Sequence, residues 1–552
     1  MATPAPAKTR AVRKARGVLL LTGTAALLAG TLAAGGPAHA AAAPLAAGGT
    51  GPAAALSWPM AGQNLSDTHD QAGETAISAS NVGSLVTDWK FTTDGNVSAT
   101  PTVMGDHVYF PDWGGELWAL TTSGKVVWSH SVASYLGLPG DISRNSPAID
   151  GNELVLGDRL TTGTSPGAHV FAVNRTTGAL LWSTLVDTNP AAIMTGSPTV
   201  YKGVVYVGIS SREQGLATQP GYKCCTFRGA IVALNASTGK LLWKTYMVPS
   251  NNGGGDSNKP GYYTGGAVWG SSPVVDPSTG TLYISTGNNY TVPSGVCIKP
   301  GQAKCTKPIA SDHIDSILAL NLSTGAIKWS YRTVASDALT GACKTICGPD
   351  YDFGEMPNLF SVTKPGTHTT EELVGDGEKS GIYWALNATT GKLVWKTRVG
   401  PGGLGGGLEW GSATDGTRIY CAEGDTDKVA YKMGGSGPYA GKTTTGGSWA
   451  ALDAATGAML WQTPDPQTVP DLGYVSAANG VVYAGSKISK GNNMYALNAS
   501  TGAILWSFAS GGQVRSGAAI VGDQVFWGTG YSGGPNHRFF AFTLPAALRG
   551  RR

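Results

Sequence analysis

The chain has 552 residues, of which 80 are glycine and only 13% are charged, and its formal net charge is +4. Five of the positive charges lie in the first forty residues, which carry no acid, so the remainder is close to neutral and gives no basis for nucleic-acid binding. A glycine-rich, weakly charged composition without long helical periodicity is typical of an all-β repeat protein.

The N-terminus has the three parts of a secretory signal. A basic region that ends at Arg16 precedes an apolar run from Gly17 to Ala34, and Ala38-His39-Ala40 forms a small-x-small cleavage site. We therefore expect residues 1–40 to be a signal peptide and the mature protein to be secreted or extracytoplasmic; the alternative is an N-terminal membrane anchor. No later stretch reaches the ~18 apolar residues of a membrane-spanning helix, so we expect no integral membrane segment in the mature chain.

Two further regions follow the signal. Residues 41–75 are rich in Ala, Gly and Ser and predict a flexible leader. One repeated unit then organises residues 76–548, and its clearest copy runs from Ile231 to Trp243. This copy predicts a strand, a tight turn in which Gly239 is free to adopt a positive φ, and a second strand.

The repeat is recognised by a tryptophan that follows a glycine by four residues. Such tryptophans are Trp128, Trp182, Trp243, Trp329, Trp395, Trp461 and Trp506. A tryptophan is large enough to fill the gap between neighbouring sheets. Repeats of roughly 40–60 residues with several strands each indicate a β-propeller.

An eighth unit is divided between the two ends of the repeat region. Trp89 ends the run 82–88 but lacks the glycine turn, and Phe539 to Leu544 resembles the missing first half of that unit. A closed ring whose last blade takes strands from both ends explains both halves. The sequence therefore predicts an all-β, eight-bladed β-propeller.

All seven cysteines follow the signal, so disulfides are permitted. Adjacent Cys224 and Cys225 predict a vicinal disulfide; the alternative is that each pairs with a different partner. Cys297 with Cys305, and Cys343 with Cys347, are placed to close short loops, which leaves Cys421 in a predicted strand as the odd thiol. No Cys-x-x-Cys-His occurs, so no c-type haem is attached to this chain.

Candidate functional residues lie in the long loops, since propellers carry function in loops at one end of the central channel. These loops are 211–228, 250–268, 289–314, 336–358 and 399–408. The first begins within Ser210-Ser211-Arg212-Glu213, a strand end that carries a carboxylate.

Five more candidates follow along the chain. Trp269 is outside the repeat set and is therefore free to line the channel. Asn288 follows Thr286-Gly287 at a strand end, where the ordinary interpretation is a turn residue. Asp312 and Asp315 precede a repeat strand, where the ordinary interpretation of an Asp is a turn residue. Lys379 lies in a glycine-rich loop, where the ordinary interpretation is a solvated lysine.

Taken together, these features resemble the dehydrogenases that depend on pyrroloquinoline quinone (PQQ). The Ser-x-x-Glu, the Thr-Gly-Asn, the loop Asp and the repeat carry the resemblance, which runs from about residue 76 to 545. Within this family the stretches 224–229, 378–386 and 406–413 are most similar to polyvinyl-alcohol dehydrogenases. The resemblance implies PQQ and Ca²⁺ in the central channel.

The resemblance also implies roles for individual residues. Glu213 and Asn288 would be Ca²⁺ ligands, with Asp312 as a further candidate, because hard oxygen donors suit that cation. The cofactor would contact Trp269, which would stack under it, and Trp410 in the third similar stretch. A further set would bind the cofactor, and consists of Arg144, Thr195, Ser210, Lys379 and the lid pair Cys224 and Cys225.

The catalytic base implied by the resemblance is an Asp that removes the alcohol proton, and Asp312 and Asp315 both fit, with Asp312 preferred. The Cys pair follows Glu213 here, whereas it precedes the glutamate in the methanol-oxidising relatives. The implied activity is oxidation of alcohols, secondary and polymeric ones such as polyvinyl alcohol among them. Electrons would leave to a separate acceptor, a cytochrome c or a quinone. The alternative is a non-catalytic propeller that serves as an assembly or interaction scaffold.

Overall fold

The computed structural model describes residues 56–160, 165–250, 262–270 and 272–549. The predicted signal peptide and residues 41–55 of the predicted leader lie outside these ranges. The regular secondary structure of the described residues is almost entirely strand, with one 3-10 turn at Val82–Ser84 and three short helices, α1 (Val132–Leu136), α2 (Glu213–Leu216) and α3 (Ala546–Arg549). None of these helices is long and apolar enough to cross a bilayer.

The first strand is β1 (Val86–Thr92). The next strands, in chain order, are β2 (Thr102–Met104), β3 (His107–Pro111), β4 (Glu116–Thr121), β5 (Val126–Ser131), β6 (Asp141–Ile142), β7 (Ala148–Asp150), β8 (Glu153–Gly157), β9 (Arg159–Leu160), β10 (Ala168–Asn174), β11 (Leu180–Asp187), β12 (Ala192–Ile193), β13 (Thr199–Tyr201), β14 (Val204–Ser211), β15 (Ala230–Asn235), β16 (Leu241–Tyr246), β17 (Thr264–Gly265), β18 (Val274–Asp276), β19 (Thr281–Ser285), β20 (Asn289–Thr291), β21 (Ser316–Asn321) and β22 (Ile327–Arg332).

The second half of the chain continues the series. Its strands are β23 (Asn358–Thr363), β24 (Thr370–Gly377), β25 (Ile382–Asn387), β26 (Leu393–Arg398), β27 (Ala413–Thr414), β28 (Arg418–Glu423), β29 (Tyr431–Lys432), β30 (Thr443–Thr444), β31 (Ser448–Asp453), β32 (Met459–Pro464), β33 (Val475–Ala478), β34 (Val481–Gly485), β35 (Met494–Asn498), β36 (Ile504–Phe508), β37 (Ala519–Val521), β38 (Gln524–Gly528) and β39 (Arg538–Thr543).

Eight antiparallel blades, each with four strands, confirm the predicted eight-bladed propeller. Blades 1 to 7 are β2–β5, β7–β8–β10–β11, β13–β14–β15–β16, β18–β19–β21–β22, β23–β26, β27–β28–β31–β32 and β33–β36, each listed from its first strand to its last. Blade 8 is β37–β38–β39–β1. The remaining short strands pair among themselves or extend β14.

Blade 8 closes the ring with strands from both ends of the repeat region. Strand β1 pairs antiparallel with β39, so that Val86 is opposite Thr543 and Thr92 is opposite Arg538. The divided repeat seen in the sequence is therefore one blade. Closure of this kind leaves no unpaired end blade in the described ring.

The repeat tryptophans join each blade to the next. Trp182 at the outer strand of blade 2 donates its indole N–H to the carbonyl of Ala236 in blade 3, over 2.6 Å. Equivalent bonds run from Trp89, Trp128, Trp329, Trp395, Trp461 and Trp506 to the following blade, and the bond of Trp506 ends on Leu85 at the junction of the ring. The tryptophans thus confirm their predicted place between sheets.

The glycine of each repeat has two reasons to be glycine. Gly391 has φ +67°, and a Cβ there would lie 2.6 Å from Cδ2 of Trp329 in the preceding blade. Any side chain would therefore meet a rigid indole ring in a backbone conformation that L-residues rarely adopt.

The hydrophobic core is a set of layers between neighbouring blades rather than one central core. One layer, for example, joins Tyr206 and Ile231 of blade 3 to Leu282, Ile284 and Leu318 of blade 4. Because the two faces of each sheet are covered by neighbouring blades, the middle strands are buried on both faces, which explains their unbroken apolar runs.

Residues 56–75 are ordered, so the prediction of a flexible leader is wrong for this part of the stretch. Composition misled because it averages over the stretch and does not register the backbone hydrogen bonds to the ring or the few buried side chains that hold this segment. We call residues 57–74 the strap. Trp58, which is fully buried, exchanges backbone bonds with Val103 in the first strand of blade 1.

The strap then reaches the first strands of six further blades. Its bonds are Ile149 N to Pro59 O, Val275 N to Leu65 O, Leu359 N to Ser66 O, Thr414 N to Thr68 O, Ala477 N to His69 O and Gln71 Nε2 to Ile520 O. First strands are the innermost strands of a propeller, so the strap runs across the inside of the ring.

The disulfides agree with the pairings that the spacing allowed. Cys224 is bonded to Cys225, Cys297 to Cys305 and Cys343 to Cys347. Cys421 is a buried free thiol in β28.

Candidate active site

A cavity of about 510 Å³ lies where loops from several blades converge. Its lining residues come from two recurring positions in the blades. One position lies just before the first strand, as for Trp269 before β18 and Trp410 before β27; the other lies just after the second strand, as for Lys379 after β24. In an antiparallel sheet these two positions are at the same end, so residues far apart in sequence meet there.

The strap meets this cavity at its wall. Contact with the cavity wall is made by His69, whose ring stacks on Tyr474 at 5.6 Å.

One side of the cavity is strongly cationic. The guanidinium groups of Arg144, Arg159, Arg212 and Arg515 all line it. Among the described residues, no ion pair joins Arg144, Arg159 or Arg515 to a carboxylate. Burial, and then the charge of Arg144, lower the pKa of Arg159 to about 10. Like charges held together without counter-ions favour an anionic ligand.

Tyr531 lies among these arginines. Arg144 donates to its hydroxyl over 3.0 Å, and the Arg515 guanidinium lies 4.3 Å from its ring centre. Burial alone raises the pKa of the Tyr531 phenol, but the charges of Arg144 and Arg515 outweigh it and bring that pKa below its ordinary value. The aromatic wall continues with Trp410, whose ring meets Tyr531 edge-on at 5.3 Å.

Lys379 is held on another wall by two carboxylates. Its Nζ lies 2.8 Å from Oδ2 of Asp352 and 3.0 Å from Oδ2 of Asp350. Burial alone would lower the pKa of Lys379, but these two carboxylates raise it well above its ordinary value. The lysine is therefore a fixed positive charge at the cavity surface rather than a solvated loop residue.

Trp269 lines the cavity and is oriented by its neighbours. Thr195 donates to its carbonyl over 2.9 Å, and its indole Nε1 is buried without a hydrogen-bond partner in the described part of the chain. A Cβ on Gly287 would lie 2.7 Å from that nitrogen, so only glycine allows this ring position. Five of the predicted site residues line the cavity, namely Arg144, Thr195, Trp269, Lys379 and Trp410.

Ser210 and Glu213 lie behind the lining. Ser210 is buried and hydrogen-bonded to Thr195 over 2.6 Å. The Glu213 carboxylate accepts bonds from the backbone of Thr226 and Phe227, both over 2.7 Å, and from the hydroxyl of Tyr222 over 2.9 Å. Its oxygens thus anchor the loop that follows α2.

The Cys224–Cys225 pair is also absent from the cavity lining. Cys225 is fully buried in the apolar layer with Phe227 and Ala230. Its expected place near the cavity is taken by α2 and the residues after it, since Gln214, Gly215, Leu216 and Gln219 line the cavity instead.

Asn288, Asp312 and Asp315 are fully buried beside the cavity rather than in its lining. The backbone N–H of Asn288 donates to Oδ1 of Asp352 over 2.6 Å, which ties it to the Lys379 wall. Asp312 Oδ1 accepts from Asn289 over 3.1 Å, and burial raises the pKa of Asp312 to about 7. Asp315 has φ +41°, and neither of its carboxylate oxygens accepts a hydrogen bond from a described residue.

Comparisons with known proteins give this site a context. The family described as the glucose/ethanol/alcohol dehydrogenase β-propeller domain, the PQQ family, matches residues 58–401. The chain belongs to this PQQ dehydrogenase propeller family. A second family, described as the outer membrane protein assembly factor BamB, matches residues 445–542.

Individual relatives of this PQQ propeller chain agree. It is 30% identical to the polyvinylalcohol dehydrogenase of a Pseudomonas species over 74% of this chain and 61% of that protein. It is also 30% identical to the polyvinylalcohol dehydrogenase of Sphingopyxis sp. strain 113P3, over 70% of this chain and 56% of that protein. The chain therefore spans only about three fifths of the length of these curated relatives.

Solved structures confirm the propeller fold of this family member. The quinohemoprotein alcohol dehydrogenase from Comamonas testosteroni superposes with a TM-score of 0.69 and 19% identity, over 90% of this chain and 81% of that chain.

The cavity residues fit a flat polycarboxylate quinone such as PQQ. The partly buried indole of Trp269 offers a stacking face, and the guanidinium groups of Arg144, Arg159 and Arg515, which form no ion pair with a described carboxylate, offer partners for carboxylates. For a cation the donors are fewer: Oδ1 of Asn288 is buried and unpartnered among the residues described. Within the same ranges, no three carboxylate, histidine or cysteine side chains are arranged to hold a metal by themselves.

Several lining residues escaped the sequence reasoning, namely Arg159, Arg212, Asp352, Glu409, Tyr474, Arg515 and Tyr531. All of them follow a second strand or precede a first strand of a blade. Aligning the repeats by their tryptophans and reading those two positions in every blade is the signal that would have found them.

Proposed function

We propose that the protein is an exported quinoprotein that oxidises alcohols to ketones, with PQQ as its cofactor and Ca²⁺ as a Lewis acid. Secondary alcohols, polymeric ones among them, are the proposed substrates, and a separate cytochrome c or quinone is the proposed electron acceptor. The observation that carries this proposal is the convergence of Trp269, Lys379 and the guanidinium groups of Arg144, Arg159 and Arg515 on one cavity. The names of the relatives support the same class of reaction.

The chain's own residues have definite parts in this proposal. When bound, PQQ would supply the two-electron oxidant. Trp269 would stack against its rings, while Arg144, Arg159 and Arg515 would bind its carboxylates bidentately. Thr195, whose hydroxyl donates to the Trp269 carbonyl, would have to exchange that bond to donate to a cofactor carboxylate.

Lys379 would stabilise negative charge that develops on the quinone oxygens. Its pairing with Asp352 and Asp350 supports this role, because the pairing keeps the ammonium charged and in place. Asn288 would hold the cation through its free oxygen, with Glu213 as the second proposed ligand and cofactor oxygens as the others. The Cys224–Cys225 pair does not line the cavity, so no contact supports its proposed role as a lid.

Asp312 or Asp315 would accept the substrate proton, the part that the family resemblance assigns to them, although neither lines the cavity.

One experiment tests the class. Purified apo-protein is given PQQ and Ca²⁺, binding is followed by calorimetry and absorbance, and dye reduction is assayed with secondary and primary alcohols. We expect binding together with reduction by secondary alcohols. Absence of PQQ binding would reject the enzyme, and activity on primary alcohols alone would reject the substrate class.

Two variants refine the assignment of the metal and cofactor sites. Glu213→Ala should lose Ca²⁺-dependent activity, and an unchanged rate would remove Glu213 from the metal site. Trp269→Ala should weaken PQQ binding in the absence of substrate, which calorimetry measures directly.

A scaffold function is the second candidate, and it is favoured by the match of residues 445–542 to the BamB description. A scaffold has no use for a cationic cavity with a paired lysine. Failure of PQQ binding in the experiment above, with the fold intact, would favour the scaffold.

A further inference from the structure

Two aspartates are buried in the loop that connects blade 6 to blade 7. Asp465 directly follows β32, Asp471 lies shortly before β33, and each side chain is at most 2% exposed. Both oxygens of Asp471 and Oδ2 of Asp465 are buried without a hydrogen-bond partner among the described residues. Neither aspartate lines the cavity, so this pair is separate from the candidate active site.

No positive charge compensates the two aspartates in the described part of the chain. No salt bridge there involves Asp465 or Asp471, and Lys487, which lies beyond β34, is exposed. Burial raises the pKa of Asp471 well above its ordinary value, and the charges of Asp465 and Glu423 raise it further. A buried carboxylate without a counter-charge is costly, so the folded protein should hold a proton or a cation here.

Ser486 is an independent polar group at the same place. It directly follows β34, is fully buried, and its Oγ has no hydrogen-bond partner among the residues described. Its hydroxyl lowers the pKa of both Asp465 and Asp471, which places it beside both carboxylates. Two acids that share a proton need no third donor, whereas a hard cation takes several oxygen ligands.

The position of Asp471 is fixed by close packing. A Cβ on Gly447 would lie 2.4 Å from the backbone nitrogen of Asp471 and 2.8 Å from its Oδ2, so glycine is required there. Backbone hydrogen bonds hold the loop on the same residue, because Gly447 donates to Val469 and accepts from Asp465. The loop therefore presents its two carboxylates in a fixed arrangement.

We propose that Asp465, Asp471 and Ser486 bind a hard divalent cation. The two carboxylates carry the two negative charges that one such ion balances, and hard oxygen atoms are its preferred ligands. Ca²⁺ fits better than Mg²⁺, because Mg²⁺ retains hydration water for which a buried site has little room. Backbone carbonyls and a few water molecules complete the ligand set. This site is distinct from the one proposed at Glu213 and Asn288, and it needs no cofactor oxygen.

The cation would join two neighbouring blades. Asp465 follows the last strand of blade 6, whereas Asp471 leads into the first strand of blade 7 and Ser486 follows its second strand. The loop continues from Asp471 to Tyr474, which lines the cavity, so the ion would also hold this part of the cavity wall. A ligand that binds the folded chain alone stabilises it by mass action.

The test uses the purified full chain without PQQ, so that the other proposed cation site lacks the cofactor oxygens. The chain is stripped with EGTA and titrated with Ca²⁺ by calorimetry, and its melting temperature is measured with and without Ca²⁺. At about 100 times the dissociation constant, Ca²⁺ should raise the melting temperature by about 2–3 °C. Asp471→Asn keeps the size of the side chain and removes its charge. This variant should lower the Ca²⁺ affinity at least about tenfold and abolish most of the rise.

Two further variants locate the binding. Asp427→Asn changes an exposed acid of blade 6 and should retain the wild-type affinity. Glu213→Gln should also retain it, because Glu213 belongs to the other proposed site. If Glu213→Gln abolishes Ca²⁺ binding while Asp471→Asn retains it, the ion binds at the other site and the proposal is overturned.

Other outcomes also decide. A wild type that binds no Ca²⁺, with Asp471→Asn as stable as the wild type in EGTA, would show that Asp465 and Asp471 share a proton instead. If Asp471→Asn fails to fold, Ser486→Ala replaces it: a lower Ca²⁺ affinity supports the proposal, and an unchanged affinity overturns it. None of these measurements uses PQQ, so failure of the proposed quinoprotein function would not affect them.

Discussion

Lys379 and Asp352 form a buried ion pair, 2.8 Å from Nζ to Oδ2, at the wall of the cavity. Asp350 shares the same ammonium at 3.0 Å. Three residues that are remote from the tryptophan repeat thereby define one charged wall.

Loss of the lysine should therefore be costly. Lys379→Met would leave two carboxylates buried side by side without a counter-ion, and we expect a loss of about 3–5 kcal/mol in the free energy of unfolding. Lys392→Met, at an exposed position of the same blade, should change it by less than about 0.5 kcal/mol. Chemical denaturation of both variants measures the difference, and equal effects would contradict the burial of the pair.

The contribution of the repeat glycine to stability can be tested by comparing it with a glycine that has a similar positive φ but no side chain close to it. Gly391→Ala places a Cβ against Trp329 and at positive φ, whereas Gly366→Ala in the same blade has φ +73° and nothing within 4 Å. We expect about 1–2 kcal/mol for the backbone strain in both, and a further ~1–3 kcal/mol for overpacking at Gly391 alone. Thermal unfolding of the two variants would show no gap if the indole contact were unimportant.

The strap should be a stabilising part of the ring. Trp58 is fully buried and its indole N–H donates to the carbonyl of Ala61. Trp58→Ala should destabilise the protein by about 3–5 kcal/mol. Thr75→Ala, at an exposed position just after the strap, is the control and should be close to neutral. A wild-type melting temperature for Trp58→Ala would show that the strap is dispensable.

Stability should depend on pH through Glu423. Burial raises the pKa of this carboxyl from 4.5 to about 7. Between these values the folded protein binds a proton that the unfolded chain has released, so the group costs no stability below pH 4.5 and lowers stability as pH rises towards 7. Above pH 7 the loss is complete.

Glu423→Gln removes that titration. We expect the melting temperature of the variant to fall less than that of the wild type between pH 4.5 and 7, with Glu372→Gln as the exposed control. Parallel pH profiles of wild type and Glu423→Gln would show that Glu423 does not titrate with a raised pKa.

The sequence alone determined the ring. Glycine and tryptophan recur at a fixed spacing because each turn must leave room for an indole from the preceding blade. That requirement is local and is the same in every unit. The divided unit at Trp89 and Phe539 likewise predicted the closing blade, which the pairing of β1 with β39 confirms. Short cysteine spacings were sufficient to predict the three disulfides, because loop length limits the choice of partners.

Only the tertiary structure decided the site. Arg144, Arg515 and Tyr531 come from blades 2 and 8, which are far apart in the chain and meet only because the ring closes around its channel. The strap was missed for the same reason, since it is held by backbone bonds to six blades and a side-chain bond to the eighth blade, and its residues follow no repeat. A repeat specifies contacts between neighbouring units, whereas a central cavity depends on all of them together.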